Sequence, residues 1–231
     1  MHLHTKLALF AVVVLQFVLS APLLAEPFDN TLSFGAYLVQ YDAQAGDISG
    51  PFVPHGVNLS VDDVNTLYLA FIRRLTPSLS LELAGGVPPE TKTIGKGLAK
   101  LGSVPYEGEN IGSAKWFSPT VLLLYHFRDE SEALRPYMGA GFNYTRFFDN
   151  KSTAAGDAAN GGPTEISLSD SFGWAITLGI GYRINDRWAA HVSYSRSSVE
   201  SDMEVNTAGV IRRTTIDFHP SVTVLSLAYS F

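Results

Sequence analysis

Few residues that could do chemistry point inward by the alternation described below: His126 and His191 of the six histidines, and the charged residues Glu82, Arg135 and Arg183. The two histidines have no carboxylate or cysteine at ligand spacing. Zinc takes three or four such groups, so no metal is expected. The sequence contains no cysteine, which removes disulfides, thiolate sites and cysteine nucleophiles. No Gly-x-Ser-x-Gly motif accompanies the serines, and neither an enzyme nor a cofactor is expected. Gly139-Ala140-Gly141 and Gly179-Ile180-Gly181 are not nucleotide loops, because no helix follows either. The formal charge of −6 argues against a nucleic-acid partner, which needs clustered cations.

The elements that position these residues are strands. Leu67, Leu69 and Phe71 alternate with Thr66, Tyr68 and Ala70; Leu79, Leu81 and Leu83 alternate with Ser80, Glu82 and Ala84. Val121, Leu123, Tyr125 and Phe127 oppose Thr120, Leu122, Leu124 and His126. The pattern returns over Tyr137–Tyr144, over Trp188–Ser195 and over Thr223–Phe231. It is clearest over Phe172–Arg183, where Phe172, Trp174, Ile176, Leu178, Ile180 and Tyr182 oppose Gly173, Ala175, Thr177, Gly179, Gly181 and Arg183. With Leu32–Gln40, whose faces the pattern leaves unassigned, the count is eight.

A soluble sandwich produces the same period of two. Three features select a membrane barrel instead. Aromatics gather at strand ends, as at Tyr182, Trp188, Tyr229 and Phe231, where interfacial girdles sit. Three short links (Leu75–Ser78, Arg128–Leu134, Ile184–Arg187) alternate with four long ones (Ala43–Asp63, Pro88–Lys115, Asp149–Ser169, Ser197–Thr214), as periplasmic turns alternate with outer loops. Finally, Leu225, Leu227, Tyr229 and Phe231 form an alternating terminal strand of the kind read by the β-barrel assembly machinery. The expected fold is all-β, an eight-stranded antiparallel transmembrane β-barrel. Lipid supplies no hydrogen bonds, so Thr31–Gln40 must pair with Val222–Phe231 to close it.

Residues 1–25 read as a signal peptide, with Lys6 before the apolar run Leu7–Leu19 and a small-residue exit at Ala25. The barrel then occupies 26–231, in the outer membrane of a Gram-negative cell.

By the same alternation Tyr68, Ile72, Leu122, Leu124, Val222 and Val224 point inward, where a water-filled porin would place charge. They are candidates for an apolar path, although an eight-stranded lumen is also narrow enough to be filled by side chains. Glu82, Arg135 and Arg183 point inward as well. An unpaired charge in a low-dielectric lumen is costly, so Glu82 is expected to pair with one or both arginines as a plug at the barrel floor.

The run Arg135-Pro136-Tyr137-Met138-Gly139-Ala140-Gly141-Phe142-Asn143-Tyr144-Thr145, followed by Phe147-Phe148-Asp149, resembles the outer membrane protein W family. So do Pro119-Thr120-Val121-Leu122, Leu168-Ser169-Asp170-Ser171-Phe172-Gly173 and Ile216-Asp217-Phe218-His219-Pro220. The resemblance covers Leu32 to Phe231. It implies an eight-stranded barrel with a narrow, largely apolar lumen and passive uptake of small hydrophobic molecules. The alternative is a non-conducting barrel whose loops bind lipopolysaccharide, a host surface or a bacteriocin.

Overall fold

The computed structural model describes residues 29–97 and 106–231; the expected signal peptide lies outside the described residues. In chain order the strands are β1 Asn30–Tyr41, β2 Gln44–Ala45, β3 Asn58–Val61, β4 Val64–Thr76, β5 Leu79–Gly86, β6 Glu90–Lys96, β7 Asn110–Phe117, β8 Thr120–His126 and β9 Leu134–Ser152. Helix α1, Ala154–Asn160, follows; then come β10 Thr164–Leu168, β11 Ser171–Arg183, β12 Trp188–Ser197, β13 Glu200–Thr207, β14 Val210–Asp217 and β15 Pro220–Ser230.

Eight of these close on themselves in the order β1, β4, β5, β8, β9, β11, β12, β15 and back to β1, every neighbour antiparallel. The closing pair runs from Thr31 opposite Ser230 to Tyr41 opposite Pro220. Asn30 and Phe231 exchange backbone hydrogen bonds at 3.2 and 2.8 Å, so the seam is paired to its end. Lipid offers nothing to an open edge, and pairing the first strand with the last satisfies both edges.

The side chains are inverted relative to a soluble protein. Leu67, Phe172 and Leu178 are exposed, whereas Ser33, Ser80, Asn143, Thr177 and Ser226 are buried. The faces of β1 are now assigned: Leu32 and Phe34 turn outward, Ser33 and Val39 inward. The inward hydroxyls bond one another, Ser33 to Ser226 at 3.0 Å and Ser195 to Thr177 at 2.9 Å. Leu178 is 62% exposed and Thr177 4%. Leu178→Arg should therefore cost about 2–4 kcal/mol in refolding titrations into lipid vesicles, the cost of a cation at mid-membrane. Thr177→Asn should cost clearly less; the reverse order would shift the lipid face of β11 by one residue.

Residues of the terminal strand follow the same rule. Leu225, Leu227 and Phe231 face out, and Tyr229 lies between Trp188 and Phe231, with ring centroids 5.0 and 6.4 Å away. Tyr182 and Trp188 complete the inner girdle, and Phe142 stacks on Phe172 at 5.7 Å toward the other end.

The four long links are not irregular loops. They carry β2, β3, β6, most of β7, the end of β9, α1, β10, β13 and the start of β14, built into two sheets above the barrel: β3-β6-β7-β9 and β10-β13-β14-β2. The turn-rich composition of these segments hides a second set of alternations. In β13 Ser201, Met203, Val205 and Thr207 are buried, and in β14 Arg212, Thr214 and Ile216 are. Their apolar members meet Trp116, Phe147 and Phe218 in one hydrophobic cluster. The barrel thus carries a packed canopy.

Candidate functional site

The lower lumen is filled. Leu122, Leu124, Tyr137 and Ala175 form one buried cluster, and Leu124 is 1% exposed. Glycines on β9 and β11 make room for large side chains from other strands. A Cβ on Gly179 would lie 2.3 Å from the Tyr137 ring, and one on Gly139 would lie 2.5 Å from Leu124. His126 and His191 flank Tyr137 with ring centroids 5.5 and 5.9 Å away, so both histidines belong to this packing.

One level up, Tyr37 stacks on Tyr68 at 5.9 Å, and the Tyr68 hydroxyl donates to Glu82 at 3.1 Å. This corrects the expected ion pair. In register Glu82 faces Leu122, which faces Gly141, six residues along β9 from Arg135. Six extended residues span about 20 Å, beyond the reach of a guanidinium. Arg135 instead donates to the carbonyls of Pro77 (2.8 Å) and Arg128, and Arg183 donates to those of Glu130 (2.9 Å) and Ser131. The two arginines bind the periplasmic turns. The ion pairs at that rim are Arg74 with Asp29 and with Glu130, each at 2.8 Å.

Above the filled section lie two small cavities. The lower holds about 30 Å³ and is lined by Tyr37, Val39, Ser118, Asn143, Thr145, Val199 and Val222, among others. The upper, inside the canopy, holds about 50 Å³ and is lined by Ile48, Val61, Ile166, Met203, Val205 and Ile216. Tyr41, Trp116, Phe147 and Phe218 line both. Phe218 packs between Tyr41 (6.0 Å, edge-on) and Phe147 (5.2 Å, stacked), and the Trp116 indole donates to Thr91 at 2.9 Å. Asn143, Ser118, Thr120 and Thr145 bond one another at 2.7–2.9 Å, which leaves the polar side of the lower chamber satisfied.

Beside this chamber the barrel wall is interrupted. Pairing between the β5–β6 and β7–β8 segments stops at Ala84 opposite Thr120 and resumes at Glu90 opposite Lys115. Gly85, Gly86, Val87, Pro88 and Pro89 face Trp116, Phe117, Ser118 and Pro119 across the gap. The three prolines have no N–H to leave unsatisfied in lipid, and the two glycines present no side chain. Val87 is held by β4 instead: its N–H donates to the Leu67 carbonyl at 3.0 Å, and its carbonyl accepts from Thr66 at 2.6 Å. Trp116 and Ser118 line the inner chamber, whereas Phe117 and Pro119 line an apolar groove on the lipid side with Leu32, Phe34, Leu69 and Phe71. The Phe117 ring covers Gly85, 3.6 Å from where a Cβ would stand.

The six inward apolar residues sit at three levels. Val222 lines the lower chamber, and Val224 and Tyr68 belong to the cluster beneath the canopy. Leu122 and Leu124 lie in the filled section, and Ile72 opens onto the periplasmic vestibule. Most of the residues that shape the cavities lie outside this inward apolar set: Tyr41, Trp116, Phe147, Met203, Ile216 and Phe218, of which Phe147, Ile216 and Phe218 stand in the family-like runs. The alternation of β13 and β14 is the local signal for Met203 and Ile216.

The comparisons with known proteins agree with this architecture. The profile of the OmpW family matches residues 31–231. Outer membrane protein W of Vibrio cholerae is 30% identical over 173 residues, 75% of this chain and 76% of that protein. The dibenzothiophene metabolism operon protein PahQ of Pseudomonas aeruginosa is 24% identical over 219 residues, 93% of this chain and 94% of its own. Among solved structures, the outer membrane protein OprG of Pseudomonas aeruginosa superposes with a TM-score of 0.79, at 24% identity, covering 89% of this chain and 97% of that one. With a family profile spanning the whole barrel and canopy, the chain belongs to the OmpW family of outer-membrane β-barrels.

Proposed function

We propose that this barrel carries small hydrophobic molecules passively from outside the cell into the membrane, without chemistry of its own. The solute enters the canopy, reaches the aromatic chamber and leaves sideways between β5 and β8, above the filled lumen. The observation that carries this reading is the interrupted ladder beside the chamber, with Trp116 and Ser118 on its inner side and Phe117 and Pro119 on its lipid side. An apolar solute that moves from cavity to hydrocarbon keeps its surface out of water, worth about 25 cal/mol per Å². A descent through the packed layers around Tyr137 would instead have to displace buried side chains. The operon named for the relative PahQ handles an aromatic sulfur heterocycle, which supports an apolar solute for this chain as well.

The chambers of about 30 and 50 Å³ are closed relative to the roughly 150 Å³ that holds a benzene ring. Passage therefore requires rotation of Trp116 and Phe117. The chain has no cysteine, so Gly85→Cys with Phe117→Cys can be bridged selectively by a short bis-methanethiosulfonate, each cysteine thiolate forming a disulfide with one end and displacing methanesulfinate. Uptake of a hydrophobic fluorescent probe by cells should fall on bridging to the level of cells lacking the barrel, and recover with reductant. Uptake unchanged by the bridge would remove the lateral exit; equal uptake with and without the barrel would remove transport.

A further inference from the structure

The canopy is charged asymmetrically. On the outward face of β6, β7 and β9, exposed Lys92 lies opposite Ser113, which lies opposite Lys151. In the next row Glu90, Lys115 and Phe148 follow one another, and beneath them Phe117 pairs with Arg146. Alternate residues of the same strands, Thr91, Trp116 and Phe147, are buried. Strands lie about 4.8 Å apart, so Lys92 and Lys151 frame a width of about 10 Å. On this outward face, β3 included, Lys92, Lys96, Lys115, Lys151 and Arg146 accompany Asp62, Glu90 and Asp149, a net charge of +2 on a chain of net charge −6. The outward face of β13–β14 is the opposite: Glu200, Asp202, Glu204 and Asp217 accompany Arg213.

The cationic rows stand directly above exposed aromatics, Phe117, Phe142 and Phe172. That is the height at which a membrane changes from acyl chains to headgroups. In the outer leaflet the headgroups are the phosphorylated sugars of lipopolysaccharide. The geometry points to a lipopolysaccharide site on the outward face of β6, β7 and β9, in which Lys92, Lys115, Lys151 and Arg146 bind the lipid A phosphates and Phe117 and Phe148 meet the first acyl carbons. The site rests on the outer-membrane location and on charge complementarity, and it is independent of the transport reading.

Asp149 acts as an internal competitor. It bonds Lys115 and Lys151, each at 2.9 Å, and these contacts hold its carboxyl below the usual carboxylate range. It therefore remains ionised at neutral pH and occupies both lysines until a stronger anion arrives. Its φ of 52° lies in the left-handed region, which asparagine also tolerates, so Asp149→Asn removes the charge and keeps the turn.

The test titrates the folded barrel in neutral detergent with lipid A bearing both phosphates, the same lipid without phosphates, and phosphatidylglycerol. Bound lipid is counted by native mass spectrometry, and folding of each variant is checked by heat-modifiable gel mobility. Phosphorylated lipid A should bind at least tenfold tighter than either other lipid. The combined Lys92→Gln, Lys115→Gln and Lys151→Gln exchange should abolish that preference, Asp149→Asn should strengthen it several-fold, and Arg196→Gln on another face should leave it unchanged. Equal binding of phosphorylated and phosphate-free lipid A would overturn the site, as would equal binding of phosphatidylglycerol. Weaker binding by Asp149→Asn, or retention of the preference by the folded triple variant, would overturn it too.

Discussion

Replacing Tyr137 by alanine is expected to open the lumen to ions while leaving uptake of apolar solutes unchanged. Tyr137 is buried, lies over Gly179 and sits between His126 and His191, so its ring occupies the middle of the lower barrel. Gly179 offers no side chain to refill the space, and the alanine methyl cannot reach across it. Removing a large buried aromatic costs about 3–5 kcal/mol in a sealed core. Here the neighbours include two imidazoles and the Glu82 level above, so water can enter and offset part of that cost. Planar-bilayer recordings should show clearly larger single-channel steps for Tyr137→Ala than for wild type. Probe uptake by cells should match wild type, because the proposed exit lies above this layer. Unchanged conductance in a folded variant would mean that another layer closes the lumen. Lost uptake in a folded variant would place the solute path through Tyr137.

Gly141→Val is expected to prevent barrel formation altogether, whereas Gly85→Ala should fold normally. A Cβ at Gly141 would stand 1.9 Å from the Val121 carbonyl oxygen and 2.9 Å from its carbon, both backbone atoms of the paired strand. No rotamer relieves a backbone clash; the β8–β9 ladder would have to separate, and in lipid a separated ladder leaves its hydrogen bonds unmade. Closely approaching glycines of this kind let a sheet bend tightly enough to close. At Gly85 the nearest atoms are the edge of the Phe117 ring, at 3.6 and 4.0 Å, which is ordinary contact. Refolding into vesicles followed by gel mobility should find little or no folded Gly141→Val and wild-type amounts of Gly85→Ala. A folded Gly141→Val would show that the strands can move apart there at small cost.

The inventory of membrane strands, the lipid-facing side of each assigned strand and the closure of the first strand on the last were all legible in the residues. A period of two is local, and lipid demands that the outward set be apolar along its whole length. Thus Leu178 against Thr177, or Leu123 against Leu122 and Leu124, could be read from neighbours in the chain. The family was legible for the same reason, through short runs such as Arg135–Thr145 that sit on single strands.

What the residues alone could not decide was which inward groups meet. Glu82 and the two arginines share the lumen side by parity, but the register sets Glu82 opposite Ile72 and Leu122, within reach of the Tyr68 hydroxyl, and leaves both arginines to the turn carbonyls. The canopy was concealed because its strands carry charge on one face and turn residues between them; only stacking two sheets over the barrel mouth gives Met203, Ile216 and Phe218 something to bury against. The wall gap needed tertiary structure most. Two glycines and two prolines at 85–89 and a proline at 119 are unremarkable apart, and they become an opening because the fold places them opposite one another, where the β5–β6 and β7–β8 segments do not pair.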